Sequence, residues 1–223
     1  MDVIISLGGS LIVPEEVDTI FLKKFYDTMI EFTKKGNRAI IIAGGGKTCR
    51  KYQAAAEKIV SVSQEELDWI GIATTRLNAQ LLRTIFADAA DHVVIKNPTN
   101  KITWKKSILI GAGWKPGCST DYDAVLLAKN LNIKTIINMT NIDQVYDKDP
   151  KKFKDAKPIE HLSWDDMQKI VGTKWSPGLN APFDPVATKL SSSLGLKVLI
   201  LGKDLNNFKK ALNNKEFKGT IIN

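Results

Sequence analysis

The 223-residue chain is 43% hydrophobic and carries a formal net charge of +8, enough apolar side chain to bury a substantial core within the size range of one open α/β sheet. Its apolar runs are too short for a membrane helix, the opening MDVIISLGGS lacks the charged region and cleavage site of a signal peptide, and Cys49 and Cys118 are too few for a zinc cluster or a disulfide framework. A cytoplasmic protein of one domain with two free thiols is therefore expected, and its lysines, interspersed with Asp and Glu, read as solvated surface rather than as a nucleic-acid stripe.

Short β-branched runs alternate with helical stretches, the pattern of a mostly parallel sheet covered on both faces. VIISL, residues 3–7, is the first strand and ends in Gly8-Gly9-Ser10. Pro14 suits an early position of the helix that follows, in which Phe21, Leu22, Phe25, Met29 and Phe32 recur at helical spacing before Gly36. RAIIIA, residues 38–43, is the second strand, running into Gly44-Gly45-Gly46-Lys47 and a short helix. Ser63 and Glu66 form a capping box that opens a long helix to about Phe86. HVVI (92–95) and SILIG (107–111) read as strands. A helix near Asp121, a strand at 134–138, helices from Ser163 and Asp184, a strand at 197–201 and a terminal FKGTII complete the order.

The glycines before Lys47 invite comparison with a phosphate-cradling P-loop, but the first glycine of that loop would have to stand at Ile41. A dinucleotide-binding reading of GAGWKPG fails as well, because Pro116 occupies the third glycine position and no acidic residue follows at the expected distance. What remains is four loops that each follow an apolar run: Gly8-Gly9-Ser10, Gly44 to Lys47, residues 111–121 and residues 140–150. In an open α/β sheet such loops share the carboxyl edge, where ligands bind. Two glycine turns on separate strands suit a chain of phosphates lying between them, because amides without a Cβ nearby can approach the oxygens closely.

LGGS, AGGGKTCRKY, DWIGIATTRLNAQLL, PGCSTDYDAVLLAK, TNIDQVYDKDP and DPVATK, in this order and spacing, resemble the amino acid kinase superfamily, most closely its archaeal-type UMP kinases. The resemblance implies an α/β fold, a three-layer αβα sandwich around a mostly parallel sheet of about eight strands. It also implies transfer of the ATP γ-phosphoryl group to UMP, Mg²⁺ on the nucleotide, and a hexamer. The acceptor would be held mainly by the first part of the chain and ATP mainly by the second.

Carried onto this sequence, the resemblance places Ser6, Leu7, Gly8, Gly9, Ser10 and Gly46 against the ATP phosphates, with Arg50 also on phosphate. Thr140, Asn141, Tyr146 and Asp149 would hold the adenosine side. Gly45 would contact UMP, Asp68 its ribose hydroxyls, and Trp114, Lys115, Pro116, Gly117, Cys118, Ser119 and Thr120 its phosphate. Taken singly, the glycines could be simple turns, Asp68, Ser119 and Asp121 helix caps, and Tyr146 core packing.

Direct phosphoryl transfer asks for positioning and positive charge rather than a protein nucleophile. Lys47 and Lys189 are the candidates to flank the transferring group, with Asp121 orienting the ammonium groups; neither His92 nor His161 lies in a glycine loop. Three departures from the family pattern bear on this. Ser6 stands where many members carry a lysine, Lys115 and Cys118 replace the imidazoles of an HPGH-type loop, and Gln144 replaces a common glycine, with an altered adenine pocket as its expected effect. Residues 96–106 have no clear counterpart.

Competing readings are another small acceptor, such as isopentenyl phosphate, carbamate or acetylglutamate, a nucleotide-binding regulatory or storage protein without turnover, and a nucleic-acid binder. Asp68 favours a ribose-bearing acceptor. Cys49 and Cys118, in two loops expected to face one cleft, raise the further expectation of thiol sensitivity.

Overall fold

The computed structural model describes residues 1–150, 152–174 and 181–223. Among these, eight strands from β1 (Asp2–Leu7) to β10 (Thr220–Ile222) form one sheet. Its other members are β2 (Arg38–Ala43), β3 (Ala90–Ile95), β4 (Ile108–Gly111), β5 (Thr135–Met139), β8 (His161–Leu162) and β9 (Lys197–Leu201). The order is β3-β4-β2-β1-β5-β9-β10-β8. Every pairing is parallel except that of β10 with β9.

Strand periodicity sends alternate side chains to opposite faces, and both faces are covered. Val3, Ile5 and Leu7 of β1, with Ile41 of β2, join one core with Phe25 and Met29 of α2 (Thr19–Lys34), Leu82 of α4 (Gln64–Ile85) and Phe208 of α8 (Leu205–Leu212). Ile4, Ile40 and Ile42 face the other way. They pack with Val125 of α5 (Thr120–Leu131), Met167 of α6 (Trp164–Val171) and Ala187 of α7 (Pro185–Ser193). The result is the expected three-layer αβα sandwich. No helix among the described residues is long and apolar enough to cross a membrane.

Several elements differ from the sequence expectation. Pro14 lies in a bend between α1 (Gly9–Ile12) and α2, outside either helix. The start of α2 is set instead by Asp18, whose carboxylate accepts from Phe21 N–H at 2.9 Å and so satisfies an amide that has no partner within the helix. The helix after the glycines, α3 (Gly46–Ile59), runs 14 residues and is not short. The minor sheet, β6 (Val145–Tyr146) with β7 (Pro158–Ile159), and the short strand β8 lie below the length at which alternation becomes legible. In α8, Lys and Asn surround just three buried residues, Phe208, Ala211 and Leu212.

Candidate active site

The pairing of β1 with β2 matches Leu7 to Ala43, and that of β1 with β5 matches Leu7 to Met139, so the loops after these strands leave the sheet side by side. Gly8 N–H donates to Met139 O at 2.8 Å. The two glycine turns then touch. A Cβ on Gly9 would overlap Gly46 N and stand 2.6 Å from Gly44 C, and a Cβ on Gly44 would overlap Gly9 N. Gly46 also adopts φ +69°, a left-handed conformation open to glycine at little cost. These glycines are thus required first by backbone meeting backbone, and that contact brings both turns to one rim.

Side chains from distant elements pin this rim. Asn78 of α4 donates from Nδ2 to Gly44 O at 2.7 Å and Gly45 O at 3.2 Å. Lys47 N–H donates to Val13 O at 2.9 Å. The Lys47 ammonium, at the start of α3, pairs with Glu15 at 2.9 Å on the surface, which holds the Glu15 carboxyl below its usual range.

The loop between β4 and α5 is fastened at nearly every step. Gly113 N–H donates to Thr75 Oγ1 at 2.9 Å, and Trp114 N–H donates to Asp123 Oδ2 at 3.2 Å. Trp114 O accepts from Arg76 at 3.1 Å, while Gly117 N–H donates to Asp68 Oδ2 at 2.8 Å. Ser119 N–H donates to Asp184 Oδ2 at 2.9 Å. Asp184 also caps α7, accepting from Val186 N–H at 2.6 Å and Ala187 N–H at 2.9 Å, so the helix that carries Lys189 is tied to the loop. Lys189 is exposed in the second turn of α7.

Asp121 is enclosed at the carboxyl, with Ser6 Oγ donating to its Oδ1 at 2.8 Å. Burial pushes it up to about 7; the Ser6 bond opposes that and the nearby Asp184 charge adds to it. Asp123 is also pushed up to about 7, by burial first, with the Trp114 amide opposing and Asp184 and Asp121 reinforcing. Near neutral pH these two carboxyls therefore resist ionisation, which lessens their repulsion of a phosphate.

A cavity of about 160 Å³ opens beside this cluster. Of the residues expected around UMP, Gly45, Asp68, Trp114 and Lys115 line it, as do Cys118, Ser119 and Thr120. Pro116 and Gly117 belong to the same loop but not to the lining. Gln53, Gly71, Thr75 and Asp123 also face it, and no sequence signal singled them out. Ser119 is the N-cap of α5, accepting from Asp121 N–H at 3.1 Å. Asp68 is not a cap but an interior residue of α4.

Of the residues expected around ATP, Ser6, Leu7, Gly8, Gly9, Ser10 and Gly46 gather at the rim. Thr140 follows β5, where its Cα would stand 3.5 Å from a Cβ on Gly8. Arg50 is exposed on α3, Asn141 is exposed beside Thr140, Tyr146 pairs with Pro158 in the minor sheet, and Asp149 is half-buried in the loop that follows. Gln144 is buried and donates from Nε2 to Gly219 O at 3.2 Å. It anchors its turn to the segment entering β10, an alternative to the adenine-pocket effect expected from sequence. Both thiols are pushed up by burial, Cys118 to about 12, which opposes the expected thiol sensitivity because the thiolate is the reactive form.

The Amino acid kinase family model matches residues 1–202. The chain is 33% identical over 223 residues to a uridylate kinase of Thermoplasma volcanium, covering 99% of this chain and 96% of that protein. It is 35% identical over 224 residues to a uridylate kinase of Methanocorpusculum labreanum, covering 99% and 94%. The crystal structure of uridylate kinase from Archaeoglobus fulgidus superposes with a TM-score of 0.86 at 31% identity, covering all of both chains. By sequence and by fold, the chain belongs to the amino acid kinase family.

Proposed function

We propose that this chain is a UMP kinase, transferring the γ-phosphoryl group of ATP to UMP to give UDP and ADP. One observation carries the reading: Gly45 lines the acceptor cavity, while Gly44 and Gly46 on either side of it press against Gly9 of the first glycine turn. A donor lying on that turn and an acceptor filling that cavity would meet across a single glycine. The N-terminal ends of α3 and α5 lie at the cavity, through the N-cap Gly45 and through Ser119 and Thr120, and the positive ends of helices favour an acceptor that carries phosphate. The similarity to archaeal uridylate kinases over nearly the full length points the same way.

In this mechanism the residues position and neutralise. Ser6 to Ser10 and Gly46 hold the donor phosphates, aided by Arg50, and Thr140, Asn141, Tyr146 and Asp149 hold the adenosine. Asp68 accepts from the acceptor ribose through the oxygen left free by Gly117, and residues 114–120 surround the acceptor phosphate. Lys47, released from Glu15, and Lys189 flank the transferring group, while Asp121 orients the ammonium groups. An Mg²⁺ arriving with ATP would be held mainly by substrate phosphates and water. Bound there, it would supply charge neutralisation at the phosphates. We further propose a single domain spanning residues 1–223, a homo-oligomer of hexameric type, and a cytoplasmic location.

The test is an acceptor panel with Mg-ATP, comparing UMP, CMP, AMP and isopentenyl phosphate by ADP release. UDP formation with UMP as the best acceptor is expected. Turnover confined to isopentenyl phosphate, or ATP binding without turnover of any acceptor, overturns the reading.

A further inference from the structure

Asp184 has no part in the mechanism above, yet it stands where two helices begin. Its Oδ1 accepts from Val186 N–H at 2.6 Å and Ala187 N–H at 2.9 Å, which caps α7. Its Oδ2 accepts from Ser119 N–H at 2.9 Å, at the N-cap of α5. The side chain is 3% exposed, and a carboxylate shared between two helix starts meets the positive end of each. Capping alone needs one oxygen. The side-chain caps of α2, α4, α5, α6 and α8 each accept from an amide in their own first turn. Asp184 alone among the described caps also holds the start of a second helix.

The two helices carry different parts of the proposed chemistry. Ser119 and Thr120, where α5 begins, line the acceptor cavity, and Lys189 rides on α7. Asp184 is built into the first turn of α7, since its carbonyl accepts from both Thr188 N–H and Thr188 Oγ1 at 2.8 Å. Lys189 follows five residues after Asp184, about 7.5 Å along a rigid helix. A shift of the cap is therefore passed to the lysine.

We propose that Asp184 is a positioning residue that couples occupancy of the acceptor cavity to the place of Lys189. An acceptor phosphate drawn to Ser119 and Thr120 fixes the start of α5, and the shared carboxylate carries that constraint to α7. This rests on the UMP kinase reading and deepens it, because Lys189 then stands over the transferring group only when the acceptor is seated.

Two substitutions separate the tie from the cap. Asp184→Asn keeps Oδ1 for Val186 and Ala187 but turns the Nδ2 donor toward Ser119 N–H. Asp184→Ser keeps a capping oxygen on a side chain too short for the second bond. Hydrogen exchange followed by mass spectrometry, without ATP and with saturating UMP, reads the coupling directly. In wild type UMP is expected to slow exchange in both the β4–α5 loop and α7; in either variant the loop response stays and the α7 response is lost. With Mg-ATP, kcat is expected to fall about tenfold or more in either variant, as for a misplaced group. Adding Asp184→Asn to Lys189→Ala is expected to cost less than about twofold beyond Lys189→Ala alone, because the lysine whose place it sets is gone. Losses that multiply in the double variant, an α7 response that persists in Asp184→Ser, or a wild-type α7 that does not respond to UMP overturns the proposal. If wild type forms no UDP, the kinase reading falls, while the exchange measurement, which needs no turnover, still decides whether Asp184 links the two helices.

Discussion

Ser6 Oγ donates to Asp121 Oδ1 at 2.8 Å, joining the end of β1 to the first turn of α5 across 115 residues of sequence. Where the family resemblance leads one to expect a lysine, this chain has a hydroxyl, and the hydroxyl is engaged with the Asp121 carboxyl. The bond supports the ionised form of Asp121 against burial. Ser6→Ala is therefore expected to push Asp121 further up and to move the acidic limb of the kcat profile to higher pH. An unmoved limb in Ser6→Ala would dissociate Asp121 from turnover.

The same carboxyl makes stability depend on pH. Asp121 and Asp123 are each raised from 3.8 to about 7 in the folded chain, so between these values the native state holds protons that the unfolded state has released. Their contribution is fully present below pH 3.8 and is lost as pH rises through 7. Asp123→Asn, which keeps the shape and cannot ionise, is expected to gain stability relative to wild type as pH rises from 5 to 8. Urea melts at several pH values measure the difference, and a gap between the two proteins that narrows toward pH 8 contradicts it.

Lys47→Ala and Lys189→Ala are expected to reduce kcat by about 10²-fold or more, with a smaller effect on ATP binding, as for groups that act on developing charge. The Lys47 pair with Glu15 is exposed, and its removal should matter little to the fold. Equal losses in kcat and in nucleotide affinity would move either lysine from the reacting oxygens to simple substrate binding.

Gly9→Ala places a methyl group inside the backbone of the second glycine turn. The rim must open to admit it, at a cost of about 1–3 kcal/mol or more. A melt several degrees lower, together with lost turnover, is the expected outcome. Unchanged stability in a soluble Gly9→Ala protein would mean that the two turns do not touch.

Thiol chemistry should be slow in the substrate-free protein. Cys118 is held at about 12 and Cys49 above its ordinary value, both chiefly by burial, so little thiolate forms near neutral pH. Iodoacetamide is expected to label both cysteines more slowly than a free thiol, as mass spectrometry of timed samples would reveal. Labelling as fast as free cysteine restores the redox expectation that the sequence raised.

What the sequence determined by itself is what depends on neighbours along the chain. The apolar runs of β1, β2 and β5, the capping box at Ser63 and the order of six motifs specified an α/β sandwich and named seven of the residues that line the cavity beside Asp123. Tertiary structure alone decided how the loops are held. Asn78 reaches Gly44 across 34 residues, Thr75 and Arg76 reach Gly113 and Trp114 across 38, and Asp184 reaches Ser119 across 65. Each of those side chains reads locally as an ordinary helical or capping residue, because a hydrogen bond to a distant amide leaves no period in the sequence. The glycines were visible along the chain, but the reason they must be glycine was not. Only when β1 and β2 lie in register does each turn occupy the space that a side chain on the other would need.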